Sequence, residues 1–446
     1  MLPLAAAGAV AAVSWVPTDS AESTLPRLVD VVQTSYACPA ASSITNAIGQ
    51  VRAGEERLVQ LSPDGTSSTE LADPQAWSTA AIDAAALIVT ETGRNVGASG
   101  FFASISSAKG GGGLVVGPCP GVVDDAWFLG AGSGKRHFST LLLTNLSSTP
   151  AVADIKLWGP DGPVDAVDAT GITVDPYAVR RVPLADLAAG ESALAIEVVR
   201  TRGSMSAALK DSFTSTFAGT EPIGATRAPS RDQYVGGVVG GARGKTLLLL
   251  NPGESTARVD VEVVAEGGTF AGQDLQGIKV DPGQYREVRV PTAVGAGPQA
   301  FHVVSDQPMA ASVRISSTTK DFSIAEGTEP LDGEAIVPVA IGRGIAAPRL
   351  IVSAPRRAAS VDVEIFDASM SSLGSSSIDI NGGTTVQVKT IDAQEPYADD
   401  AAYVVVRASG DVIAAAQYAK GDGVSSLALR AAPVKMSAPA VRRADG

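Results

Sequence analysis

Two apolar runs in this chain, 139–145 (STLLLTN) and 245–251 (KTLLLLN), end on asparagine 106 residues apart. The tripeptide VDP at 174–176 returns at 280–282 with the same spacing, and AIEVV at 195–199 returns as FHVV at 301–304. Anchors that share one register mark a repeat, and a repeat of this length is a folding unit copied along the chain. WFLG at 127–130 opens one copy, and YVG at 234–236 opens the next. A further copy follows with small insertions and deletions. RLIVSAP at 349–355 replaces the asparagine-ended run, VDVEI at 361–365 repeats VDVEV at 259–263, and INGG at 380–383 stands where VDPG stood. Upstream, LIVTETG at 87–93 and the residues after it resemble the closing hairpin at 196–209. Residues 38–120 therefore read as a shortened earlier module.

Inside each copy, apolar and polar residues alternate over five to eight positions, as in VDVEV at 259–263 and YREVRV at 285–290. That is the period of a half-buried strand, and turn residues such as Asn251-Pro252-Gly253 and Asp281-Pro282-Gly283 punctuate the runs. Leu184 to Leu187 adds one helical turn at most. Aromatic residues make up only 5% of the chain, so the cores must be built from Val, Ala and Leu, which suits small β units. The expected fold class is all-β, a tandem array of antiparallel β-sandwich-like modules. The expected layout is a signal or anchor segment with spacer at 1–37, a shortened disulfide-closed module at 38–122, sandwich repeats at 123–228, 229–332 and 333–433, and a disordered tail at 434–446.

The only cysteines, Cys38 and Cys119, both lie beside proline and frame the shortened module. In an exported chain they are expected to form a bridge, worth about 4 to 5 kcal/mol in the chain-entropy account. Export is suggested by the uncharged apolar stretch 2–16, which is long enough for a signal core but short of the roughly 20 residues of a confident membrane span. No Lys or Arg precedes it. Membrane anchoring through 2–16 and an extracytoplasmic location, secreted or anchored, are the expectations. Acidic residues outnumber basic ones 47 to 34, and no basic block exceeds a pair, so nucleic acid is not an expected partner.

The acidic pair Asp124 and Asp125 beside Trp127 and Phe128 offers a sugar-stacking platform with carboxylates for hydroxyls. The competing reading, which carries more weight, places Trp127 or Phe128 in the core of the first strand of its module. Asn145 and Asn251 recur at one position, and a strand-ending turn accounts for them better than a ligand contact does. Asn145-Leu146-Ser147 also matches a glycosylation acceptor. Asp161, Asp165 and Asp168 lack calcium-loop spacing and read as a solvated loop. Residues 110–113, four glycines, read as a flexible turn. With only His137 and His302, and no nucleophile elbow or metal-ligand spacing, no catalytic residue, metal or cofactor is expected.

Together, the proline-flanked cysteines, DAWFLG at 125–130, the run to Asn145 and the VDP at 174–176 resemble an uncharacterised family of actinobacterial envelope proteins known only as a domain of unknown function. The likeness covers roughly residues 38–432. It implies an N-terminal membrane segment, an extracytoplasmic β-rich body and genes often beside envelope glycosyltransferases, and it carries no catalytic residues. The expected role is a non-enzymatic binding or structural scaffold of the cell envelope, with an envelope glycan or envelope protein as partner. The alternatives are an accessory subunit of a membrane glycosyltransferase or polysaccharide assembly system, and, with less support, a cell-wall glycan hydrolase.

Overall fold

The structure, a computed structural model, describes residues 27–39, 44–52, 57–61, 68–70, 78–81, 86–92, 97–105, 113–214, 218–239, 242–316, 321–342, 344–391, 396, 398–421 and 423–438. The stretch 2–16 and most of the glycine run 110–113 lie outside them. Among the described residues no helix is long and apolar enough to cross a membrane.

The described chain is nearly all strand, and the strands form antiparallel modules of one topology. The first module runs from the strand Gln33–Pro39 to Leu114–Pro118, and the second from Asp125–Ala131 to Ala218–Ile223. The third runs from Ser230–Val238 to Phe322–Thr328, and the fourth from Glu334–Pro338 to Gly423–Ala428. Apart from a short extra strand on the third, Ile172–Val174 in the second module and Ile278–Val280 in the third, in every module one sheet carries strands in the order first, sixth, third, fourth, and the other in the order fifth, second, seventh, eighth. In the third module the sixth and seventh strands fuse into Gln299–Ser316, which crosses both sheets. The helical turn Leu184–Leu187 falls where the sequence placed it.

Two expectations are corrected. The first module is not shortened in strands, for its described residues carry the eight that all four modules share, and its opening strand starts at Gln33, inside the expected spacer. Full pairing from Gln33 with Thr92 to Pro39 with Ala86 holds those residues. The tail is not all disordered either, because Lys435–Ala438 pairs antiparallel with Arg27–Asp30 to form a separate small unit.

Alternation translates into burial as expected. Val259, Val261 and Val263 are buried while Arg258, Asp260 and Glu262 between them are exposed. The repeat register reappears in the hydrogen bonds. Asn145 Nδ2 donates to Thr149 O at 2.7 Å and Val174 O at 3.0 Å, while its Oδ1 accepts the Ser147 N–H. Asn251 makes the same contacts with Ser255, Val280 and Gly253. Likewise Asp154 accepts the Gly171 N–H and Asp260 the Gly277 N–H, each at 2.7 Å. The recurring asparagines are thus structural staples that tie the end of the second strand to the loop after it.

The run Leu247 to Leu250 departs from alternation because both of its faces are covered. Leu247 and Leu249 fill the third module's own core, whereas Leu248 and Leu250 join the core of the second module. Ile351 of the fourth module packs in the same way into the core of the third. Gly130 and Gly236, 106 residues apart, allow this approach. A Cβ on Gly130 would lie 2.9 Å from Ile324, and one on Gly236 would lie 2.4 Å from Ile413. The cycle closes, since Ala47, Phe101 and Leu114 of the first module share one core with the fourth.

The bridge between Cys38 and Cys119 is present, with both residues buried and 81 positions apart in sequence. It clamps the first strand of the first module to the residue after its last. Replacing both cysteines by serine should lower unfolding free energy by about 4 kcal/mol, as read from the denaturant midpoint, and an unchanged midpoint would show that the bridge restrains nothing.

Candidate functional site

The eighth strand of each module closes a hairpin with the seventh, and these four closing strands converge. Gly423–Ala428 meets Leu114–Pro118 through Ser425, whose Oγ accepts the Val116 N–H at 3.0 Å and lies 3.1 Å from Val116 O. The same Oγ lies 3.1 Å from Glu221 Oε1, on Ala218–Ile223. Asp321, at the start of Phe322–Thr328, accepts N–H groups from Phe322 and Val424 at 3.0 Å and from Leu114 at 3.4 Å. Glu326 accepts the Gly224 N–H at 2.8 Å. Glu221, Asp321 and Glu326 therefore stitch all four closing strands together at a common axis.

Each of these side chains is buried, and burial is the leading cause of their electrostatics. It pushes the Glu221 carboxyl well above the usual carboxylate range, with the Asp321 charge adding to the effect and the Ser425 hydroxyl opposing it. Burial raises Asp321 to about 6, against the pull of three backbone N–H groups. Glu326 is raised by burial and drawn back by the Arg430 guanidinium. A protonated Glu221 can donate to Ser425, which then donates to Val116 O, so that every polar atom in the chain of contacts is satisfied. Glycine permits the crowding, for a Cβ on Gly224 would sit 2.5 Å from Glu326 Oε1.

A cavity of about 380 Å³ opens beside this axis, where the first, second and fourth modules meet and the third contributes Glu326. Its walls are mainly apolar, with Phe102, Pro118, Cys119, Leu209, Ile223 and Leu427 among them. Glu326 and Arg430 are the charged groups that line it. The Arg430 guanidinium hydrogen-bonds Ala225 O, which places this exposed cation beside the second module. Apolar walls of this volume with a few convergent polar groups are the usual form of a small-ligand site.

The site suggested by the sequence is arranged differently. Trp127 is 7% exposed and stacks on Trp158 at 5.5 Å, with its Nε1 donating to Asp125 Oδ2 at 2.9 Å. Phe128 is fully buried. Asp124 is exposed and forms an ion pair with Arg200. Both aromatic side chains are therefore buried in the cluster that fills the second module, and neither offers the open stacking face of a sugar platform. Asn145 is fully buried, and its amide nitrogen is taken by two carbonyls, which withdraws it from glycan attachment. Asp161, Asp165 and Asp168 are all exposed, and no metal-holding group of acidic, His or Cys side chains occurs among the described residues.

Both histidines are held by carboxylate or carbonyl partners. His137 Nδ1 bonds Ser192 O at 2.8 Å and Nε2 bonds Asp211 at 3.0 Å, while the Ser139 hydroxyl goes to the same carboxylate at 2.6 Å instead of to the ring. His302 lies against Tyr234, with Glu262 and Asp232 at its two ring nitrogens. The axial acids gave little sequence signal. Thr-Glu-Pro occurs at both 220–222 and 328–330, yet Glu221 is buried and the side chain of Glu329 is 70% exposed.

Residues 76–391 match a family described as a family of unknown function (DUF5719). No curated protein matches the chain.

The raised carboxyls give the stability a sign with pH. The folded state keeps protons on Asp321 and Glu221 that an unfolded chain, with ordinary values of 3.8 and 4.5, has already released. Their contribution is therefore full below about pH 4 and is lost as pH rises through 6 and beyond. The melting temperature should fall between pH 5 and pH 8, and Glu221→Gln should flatten that slope. A variant with the wild-type slope would remove Glu221 as its source.

Proposed function

We propose that this chain, which belongs to the DUF5719 family, is an extracytoplasmic, non-catalytic binding scaffold whose ligand enters the cleft at the junction of the first, second and fourth modules. The observation that carries the reading is the cleft itself: an apolar cavity to which all four modules contribute walls, with a buried carboxyl inside and a guanidinium at its edge. Apolar walls favour a hydrocarbon or ring body. Arg430 favours an anionic end, and the Glu326 carboxyl, held up by burial, offers a hydrogen bond. The ligand class is thus an amphipathic anion, and an envelope lipid or a lipid-linked envelope precursor has that chemistry. The buried disulfide supports an oxidising compartment. The structural commitments of both histidines support binding over catalysis, and the burial of Trp127 removes the aromatic platform that a glycan would have needed.

The anionic fluorophore 1-anilinonaphthalene-8-sulfonate tests this reading directly. The folded protein should bind it saturably at a single site. Ala428→Trp, which fills the cleft, should weaken binding at least tenfold, and Arg430→Gln should weaken it severalfold with unchanged melting. Non-saturable binding, or full binding by both variants, would remove the cleft as the site. Trp127→Ala should cost about 3 to 5 kcal/mol of stability. If it instead left melting unchanged and abolished binding to an envelope glycan, the platform would be restored and this reading lost.

A further inference from the structure

The fourth strand forms the outer edge of the first sheet in every module, and its length sets one module apart. In the second and third modules that edge is broken into two short strands, Gly162–Val164 with Ile172–Val174 and Gly268–Ala271 with Ile278–Val280, whereas in the last it is the single strand Ser372–Ile380. The interrupted edges are blunted in the ordinary way. The nine-residue strand is not blunted. It pairs on one side only, with Ala359–Phe366, from Ala359 opposite Ile380 to Phe366 opposite Ser372. Its sequence is SLGSSSIDI, with no proline, no Lys or Arg and one charge, Asp379. Ser372, Ser375, Ser376, Ser377 and Asp379 are exposed, while Leu373 and Ile378 are half-buried against the module core. Long edges normally carry lysine, proline or bulges because their unpaired N–H and C=O groups recruit another strand. Here the one register shift lies at the strand's start, and the rest of the edge is regular.

We propose that this edge is an interface with a second copy of the chain, in which two Ser372–Ile380 strands pair antiparallel about a two-fold axis at Ser376. Several features favour a second copy over an unrelated strand. About that axis Asp379 falls opposite Leu373, so the two carboxylates stand roughly 20 Å apart and no like charges face each other. The three central serines are small and can hydrogen-bond across the pair. Each copy has one long edge of this kind among its described strands, so the pairing uses up both and closes at a dimer instead of propagating into a fibre. The two four-stranded sheets then become one continuous sheet across the axis. An edge contact alone buries less than the roughly 1,200 Å² of a stable interface, so the dimer is a weak one. Each chain carries a net charge of -13, so salt should strengthen it.

The test is sedimentation equilibrium of the intact chain over a wide concentration range, at low and at physiological salt. The mass should rise by mass action from the 45.1 kDa monomer to its double and stop there, at lower concentration in the higher salt. Ser376→Lys places two ammonium groups on the axis from an exposed position, so it should hold the protein monomeric with unchanged melting. Ser376→Cys should cross-link into a dimer under mild oxidation. A monomer throughout, a Ser376→Lys variant that dimerises like the wild type, or growth past the dimer would each overturn the proposal. So would a protein that stays monomeric yet captures a free peptide of the strand sequence.

Discussion

The convergence of four closing strands on buried carboxyls is the constraint on which the rest of the molecule depends. A carboxylate stripped of water is costly unless it is neutralised or fully hydrogen-bonded. Asp321 and Glu326 meet that demand by accepting N–H groups from strands of other modules, and Glu221 meets it by neutralisation, with its protonated carboxyl against Ser425 of the fourth module. No module can satisfy its own axial acid alone. The modules are therefore held in one arrangement by polar groups whose partners lie in neighbouring modules and together span all four. Apolar packing supplies most of the adhesion, and the carboxyls supply the register.

The same logic explains the repeated outer contacts. Leu248, Leu250 and Ile351 point away from their own cores into those of the preceding modules, and Gly130 and Gly236 keep the facing strands free of side chains. One contact copied from module to module turns a string of sandwiches into a closed cycle, with the first and last modules sharing a core. The cleft follows from this closure, since its walls come from all four modules, the third through Glu326, and exist only in the assembled cycle.

Much of this was legible in the sequence, and the missing part has a common cause. Alternation gave the strands, the recurring Asn145 and Asn251 gave the turns, and the 106-residue spacing gave a register that the hydrogen bonds reproduce. Local patterns report what lies one or two residues away, and these features are local. The contacts between modules are not. LLLL at 247–250 looks the same whether it fills one core or two, and a glutamate in a Thr-Glu-Pro triplet looks the same at the axis as on the surface. For Trp127 the weightier reading, a buried ring on an opening strand, agrees with its 7% exposure, but its stacking partner Trp158, 31 residues on in another strand, had no local signal. Composition likewise hid the long serine-rich edge of the last module, because serine is common in loops and the strand declares itself only through its partner.

Amide hydrogen exchange of the four closing strands at pH 5 is the most direct test of the central claim. If the axial carboxyls hold the modules as one body, Val116 and Val424, whose N–H groups bond across modules, should exchange as slowly as the best-protected core amides and open together with all four strands. If the strands exchange at unrelated rates, or the axial amides of Val116 and Val424 exchange quickly while the module cores stay protected, the modules are independent and the account fails.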